Sequence, residues 1–289
     1  MDAGERAQVA AVTEMDELYV LARRVLLDAL NALGNHRDAV VLVGAQAVYL
    51  RVGEADLAVA PYTTDGDLVV DPSVLGGVPP LEQALMAASF MPKTKDSVGI
   101  WVTVRPTRDS GDAEIGIDLL VPSSVSPVKG RRAARLPGHD PRAARIVRGL
   151  DGALVDADGM RLGSLDATDS RWFEVRVAGP AALLVAKVHK IDDRQGTGRQ
   201  SDKDALDALR LLRGTDTGDL AARFRALLDD SKSADVAEAA LTLLRTQFGT
   251  RGGIGIAMAT RSAGPLADAN ELAGSSLALA DDLLEALKR

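Results

Sequence analysis

The 289-residue sequence predicts an α/β (α+β) half with a small mixed sheet, followed by a mainly helical half. Two observations carry that expectation. Short apolar runs of strand length, at Ala39–Val43, Leu68–Val70, Ile100–Val104 and Ile115–Val121, alternate with segments of helical periodicity up to about residue 178. Beyond Gly179-Pro180 the pattern is helical almost throughout. The expected division is therefore residues 1–178 and 179–289, each large enough for a core of its own. Aromatic residues are only 3% of the chain, so that core must be aliphatic.

The elements follow in order. Leu18, Leu21, Val25 and Leu26 recur at helical spacing, which predicts a helix over residues 13–33 with Thr13 as N-cap and Gly34-Asn35 as its end. Ala39–Val43 is a buried strand closed by Gly44, and Gln46–Val52 a helix packed on it. A loop from Gly53 to Thr64 leads into a strand that starts at Asp65. After a turn-rich stretch, Pro72–Pro80, residues 81–89 read as a helix. Ile100–Val104 and Glu114–Val121 read as a hairpin around the polar turn Asp109-Ser110-Gly111-Asp112.

Residues 151–178 read as further strands, with Asp156-Ala157-Asp158-Gly159 as a turn; that run lacks the later ligands and closing Glu of a calcium loop. Pro180 opens a helix that runs past Lys187 to about Asp193. A polar break, Gln195–Gln200, precedes a helix over Asp204–Leu212 with Ser201 as its N-cap. Residues 220–228, 236–248 and 270–287 are the remaining clear helices, and Thr250–Gly264 reads as a glycine-rich interruption.

Composition excludes several chemistries. With no cysteine there is no disulfide, thiolate zinc site or cysteine nucleophile. No segment approaches the roughly 18 to 20 apolar residues of a membrane span. The start, Met1–Arg6, lacks a basic-then-apolar secretion pattern, so a cytoplasmic protein without a membrane partner is expected. The net charge of −7 argues against nucleic acid as a general partner. Between Lys129 and Arg148, however, seven Lys/Arg stand against the lone Asp140. Within that stretch Arg131, Arg132, Arg135, Arg142 and Arg145 are the candidate contacts to an RNA backbone; the alternative is a solvated loop.

The most informative residues are Asp65 and Asp67, in Thr64-Asp65-Gly66-Asp67-Leu68. Residues two apart on a strand share a face, and two carboxylates on one face repel unless a cation stands between them. Oxygen ligands of this kind suit Mg²⁺, which shares its shell with waters and substrate phosphates. A lone Asp-Gly-Asp is commonly a turn, but the apolar Leu68-Val69-Val70 behind it favours a strand. Asp118, in Ile115–Val121, offers a third carboxylate, with an edge position facing water as its alternative. His36, His139 and His189 show no metal-ligand spacing, and Gly252-Gly253-Ile254-Gly255 lacks the features of a phosphate loop.

Two blocks together carry a family resemblance. Val41-Leu42-Val43-Gly44-Ala45-Gln46-Ala47-Val48, followed by the Asp65–Asp67 strand, resembles the opening signature of the nucleotidyltransferase superfamily typified by DNA polymerase beta. Lys187, Arg194 and Lys203-Asp204-Ala205-Leu206-Asp207, about 120 residues further on, resemble the second signature of its AbiEii/MenT group, the nucleotidyltransferase toxins of toxin–antitoxin and phage-defence systems. The likeness spans residues 13 to 213. Ala45 departs from the usual Gly or Ser, the gap from Gly44 to Asp65 is long, and the Gln195–Gln200 loop is additional.

The resemblance implies a two-Mg²⁺ enzyme that transfers NMP from an NTP to RNA, at the tRNA 3′ end, under control of a cognate antitoxin. It makes Asp65, Asp67 and Asp118 the metal ligands, joined in catalysis by Lys187 and Asp204. Gly44, Ala45, Thr64, Lys190 and Arg194 become the nucleotide contacts, with Asp204 and Asp207 orienting Lys187 or Arg194. For Lys187 the alternative is a surface lysine with its stem along apolar neighbours. A phosphate on Thr63 or Thr64 would compete with the NTP and so is an expected route of silencing. Two other readings are kept: a small-molecule acceptor (aminoglycoside-like) or protein hydroxyl, and a non-catalytic nucleotide- or RNA-binding module.

Overall fold

The computed structural model describes residues 3–53, 55, 57, 62–108, 111–126, 132–198, 200–265 and 267–288, with side chains from residue 17 onward. The chain opens with helix α1 (Ala3–Leu33), which ends where Gly34 turns to positive φ. Strand β1 (Val40–Val43) runs into helix α2 (Gly44–Val52), and strand β2 is Asp65–Val70. Helix α3 (Leu81–Ala87) is followed by β3 (Met91–Pro92), β4 (Ile100–Pro106), β5 (Asp112–Pro122), β6 (Arg145–Val147), β7 (Ala157–Gly163) and β8 (Trp172–Ala178). Six helices then complete the fold: α4 (Pro180–Arg194), α5 (Asp202–Gly214), α6 (Thr217–Asp229), α7 (Ala234–Gln247), α8 (Ile254–Ala263) and α9 (Ala269–Ala286).

The strands form one mixed sheet in the order β3-β4-β5-β2-β1-β8-β7, with β6 alongside the end of β5. Within it β2 runs parallel to β5 and β1 parallel to β8, whereas β1 and β2 are antiparallel. Alternation along β5 divides its two faces. Ile115, Ile117, Leu119 and Val121 are fully buried, on the side covered by α1, while Glu114, Gly116, Asp118 and Leu120 face a cleft. Gly66 sits between the two aspartates for the same reason: a Cβ there would lie 2.9 Å from Ile117 and 3.2 Å from Leu26 of α1.

Asp118 is not an edge residue, because β5 lies between β4 and β2. β4 pairs with β5 only as far as Asp118, and from Leu120 onward β6 takes its place on that side. Gly99 makes the handover with φ of +65°; its carbonyl accepts from Leu119 N and its N–H donates to Arg142 O. A Cβ at Gly99 would lie 2.5 Å from Leu119 O and 2.6 Å from Arg145 N, so only glycine admits this approach.

Several expectations are corrected. α1 begins at Ala3 and Thr13 lies inside it, because Glu5, Arg6, Ala7, Gln8, Ala10 and Ala11 are good helix formers that offset Gly4 and continue the helix backwards. Asp156-Ala157-Asp158-Gly159 is no turn: Ala157 to Gly159 already pair with β8, and Asp156 reaches across to α4. Ser201 occupies the N-cap position of α5, but its side chain makes no capping hydrogen bond. The stretch from Thr250 to Gly264 contains α8, whose Gly255 lets the helix approach the Phe248 ring. Part of the expected hairpin turn, Asp109 and Ser110, and much of the 53–64 loop lie outside the described residues. Among the described residues no helix is long and apolar enough to cross a membrane.

Candidate active site

The edge-on meeting of β1, β2 and β5 brings the aspartates together. Asp67 stands directly opposite Asp118 in the parallel ladder and opposite Val43 in the antiparallel one, and Asp65 is opposite Gly116. Gly44 follows Val43 with φ of +71°, and a Cβ there would collide with the Asp67 carboxylate. Glycine is thus required twice over, by backbone conformation and by the carboxylate resting on it. Gln46, fully enclosed in α2, holds the strand start: its Nε2 donates to Asp65 O at 2.9 Å and its Oε1 accepts from Arg23 Nε at 2.7 Å. Thr63 Oγ1 donates to Asp65 Oδ1 at 2.6 Å.

Opposite this floor lies α4. Its start is anchored remotely, by Asp156 Oδ2 accepting the Ala182 N–H at 3.0 Å, while Arg223 Nη1 reaches Asp156 Oδ1 at 2.8 Å. Arg51 of α2 donates to Val177 O and Ala178 O at the end of β8 and pairs with Asp158, so the helix start and the sheet are fixed to one another. From that frame Lys187, Lys190 and Arg194 project from one face of α4, at helical spacing of three and four.

These groups line one cleft of about 580 Å³, a size suited to a small ligand. Val43, Gly44, Thr64, Asp65, Asp67 and Asp118 form its floor; Lys187, Lys190 and Arg194 form one wall; Arg132, Arg145 and Arg148 form the other. Lys93 and Glu114, paired at 3.1 Å, stand at the margin.

Electrostatics divide the site. Burial first, and then the Asp65 and Asp118 carboxylates, push Asp67 up to about 7, with Lys190 and Arg145 working against them. Asp118 is raised too, by burial and by Asp65, although Arg145 Nη2 contacts its Oδ2 at 2.5 Å. Behind the α4 wall the balance is reversed. Lys187 Nζ donates to Asp207 Oδ2 at 2.7 Å and to Asp204 Oδ1 at 3.1 Å. Burial opposes the Lys187 charge, but those two carboxylates outweigh it and hold its pKa above the ordinary lysine range. Asp204 also takes Lys190 at 3.1 Å and Arg194 at 3.2 Å; burial opposes its charge, yet the lysines hold it below the usual carboxylate range.

The donor set fits a hard divalent cation in kind: three carboxylates on one face of adjacent strands, with positive charge drawn to them. Among the described residues, no three carboxylate or imidazole side chains are gathered to enclose an ion as they stand. As they stand, Asp118 meets Arg145 and Asp65 accepts from Thr63.

A crystal structure of an antigenic nucleotidyltransferase-like protein from Paracoccidioides brasiliensis is similar to this chain, with a TM-score of 0.45 and 18% identity, over 80% of this chain and 89% of that one. No protein-family model matches the chain, and no curated protein matches it.

The other expected site residues fall as follows. Lys187 is no surface lysine: only 4% exposed, it spends its charge on two carboxylates. Asp204 does not line the cleft and lies behind the cations it pairs with, as a positioning group would. Ala45 is buried in the first turn of α2 and, unlike Gly44, does not line the cleft. Thr64 lines the cleft, but Thr63 is buried and hydrogen-bonded, which removes it as an accessible phosphorylation site. The basic stretch is not one patch: Arg132 and Arg145 line the cleft, Arg135 and Arg142 are exposed elsewhere, and Arg131 lies outside the described residues. Arg142 instead donates to Lys95 O at 2.7 Å.

Residues missed by sequence reasoning are Gln46, Asp156, Arg51 and Arg210, while Arg148, counted in the basic stretch, lines the cleft. Gln46 had a local signal, a polar residue on the apolar face of a short helix. Arg51 pairs with Asp158 and Asp156 with Arg223, each more than sixty residues away and without a local signal, and Arg210 pairs with Asp207 three residues before it.

Proposed function

We propose that this chain is a Mg²⁺-dependent nucleotidyltransferase. The observation that carries the reading is one cleft with Asp65, Asp67 and Asp118 on adjacent strands as its floor, a glycine-opened helix start beside them, and Lys187, Lys190 and Arg194 opposite. Asp65, Asp67 and Asp118 would hold the metal, which when bound would neutralise developing charge on the phosphates. Lys190 and Arg194 bind the triphosphate of an NTP, kept in place by Asp204. Lys187, charged at any working pH and held by Asp204 and Asp207, adds a fixed positive field to the same wall. Backbone N–H groups at the start of α2, opened by Gly44, face the departing phosphates. Asp118 accepts the proton of the attacking hydroxyl.

The resemblance to the AbiEii/MenT group motivates the acceptor and the setting: RNA, at the tRNA 3′ end, by a toxin held in check by a cognate antitoxin in the cytoplasm. Arg132 and Arg148, exposed on the wall beside the metal ligands, would receive its backbone. The test is label transfer from α-³²P-NTPs in Mg²⁺ to total RNA, to candidate small molecules and to protein. Wild type should label RNA, and Asp67→Ala should lose at least about a thousandfold in rate. Equal labelling by the variant would refute the assignment, and labelling confined to another acceptor would replace the RNA.

A further inference from the structure

Arg145 occupies a built position. β6 is locked to β5 by its ladder; Ile146 N donates to Arg132 O at 2.8 Å, and Trp101 Nε1 donates to Ala143 O at 3.0 Å. The handover at Gly99 sets Arg145 opposite Leu120, two residues beyond Asp118 and on the same face of the sheet. From there the guanidinium meets Asp118 Oδ2, with both side chains 17% exposed. Asp67 stands directly across from Asp118, so the floor holds two opposed carboxylates and Arg145 is the cation bound to one of them.

Resting on the reading of Asp65, Asp67 and Asp118 as metal ligands, we infer that Arg145 is a resident counter-ion: it holds Asp118 while the metal is away, yields that carboxylate to the ion, and turns to substrate phosphate. A charge-assisted bond of this kind is among the strong ones, and an incoming ion must break it. Once released, the guanidinium remains in the cleft beside Arg132, Arg148 and Lys190, where a polyphosphate would lie. Metal and anion are then coupled through one side chain, and the coupling is reciprocal.

The test uses the full chain and Mn²⁺ alone, titrated at pH 8 by calorimetry. Arg145→Gln should bind Mn²⁺ at least about fivefold more tightly than wild type, the low end of usual coupling factors. Arg145→Lys, which keeps the charge with fewer donors, should fall between and serves if the glutamine variant does not fold. Asp67→Asn should remove binding in every background. A purely structural Arg145 predicts the opposite, a variant with lower melting temperature and weaker Mn²⁺ binding, and that result overturns the inference. Inorganic pyrophosphate gives a second readout. Without metal its affinity should be equal in wild type and Arg145→Gln, and with Mn²⁺ the variant should be weaker. Equal weakening with and without metal would make Arg145 a standing anion site and sink the exchange. Wild type that binds Mn²⁺ at an Asp67-dependent site, with Arg145→Gln unchanged, removes this inference alone. No Mn²⁺ binding by either removes the metal-ligand reading with it.

Discussion

Replacing Lys187 by methionine tests the charge network behind the cleft. The side chain is enclosed, with Nζ 2.7 Å from Asp207 Oδ2 and 3.1 Å from Asp204 Oδ1. Taking one partner from a buried ion pair typically costs about 3–5 kcal/mol, because a charge is left uncompensated. Here both carboxylates keep cations: Arg210 at 3.2 Å on Asp207, and Lys190 and Arg194 at 3.1 and 3.2 Å on Asp204. The loss should therefore sit at the low end, about 3 kcal/mol. With a urea dependence of about 3 kcal/mol per molar for a chain of this size, the unfolding midpoint should fall by about 1 M. Lys187 has a raised pKa, so its contribution is complete below the unfolded value and fades only as pH climbs through the higher folded one. The gap between wild type and Lys187→Met should therefore be flat from about pH 6 to 9. A midpoint shift under about 0.3 M, or a gap that changes across that range, would refute the reasoning.

Two further outcomes follow from the floor of the cleft. Asp67 titrates at about 7 in the fold, well above an unfolded carboxylate, so the native chain holds an extra proton between roughly pH 4 and 7. Metal-free stability should fall as pH rises through that window, by up to about 1.4 kcal/mol per unit, and Asp67→Asn should flatten the slope in melting curves. Gly44→Ala should cost at least about 1–2 kcal/mol from the φ of +71° alone and more from displacing Asp67; a melting temperature equal to wild type would contradict the close contact.

What was legible in the sequence was local. Alternation along Asp65–Val70 and Ile115–Val121 put three carboxylates on one face, and Gly44 marked the turn into α2. Gly179-Pro180 marked the start of the helix that carries Lys187. What was not legible depended on packing partners outside the segment itself. Asp156-Ala157-Asp158-Gly159 has turn chemistry, but seven residues of pairing between β7 and β8 override it. Gly255 reads as a break until Phe248 is seen against it. The pairing of Lys187 with Asp204 and Asp207 was expected from the family resemblance alone, since its apolar neighbours on α4 fit a surface lysine equally well.

The basic stretch shows why charge counted along a sequence misleads. Seven cations in twenty residues suggested either a phosphate-binding face or a solvated loop, and the fold gives those among the described residues different tasks. Arg142 ties its own segment to Lys95, Arg145 neutralises Asp118, and Arg132 and Arg148 are left facing the cleft. The reason lies in the floor. Two carboxylates set opposite each other in neighbouring strands repel unless one holds a proton or positive charge is at hand. β6 brings Arg145 from the α/β side and α4 brings Lys190 from the helical side, and on the proposed reading an arriving ion would release both. Cations released in that way would be free to meet a ligand with several negative charges. A metal alone should therefore bind this site weakly, and a metal arriving with a polyphosphate should bind it well.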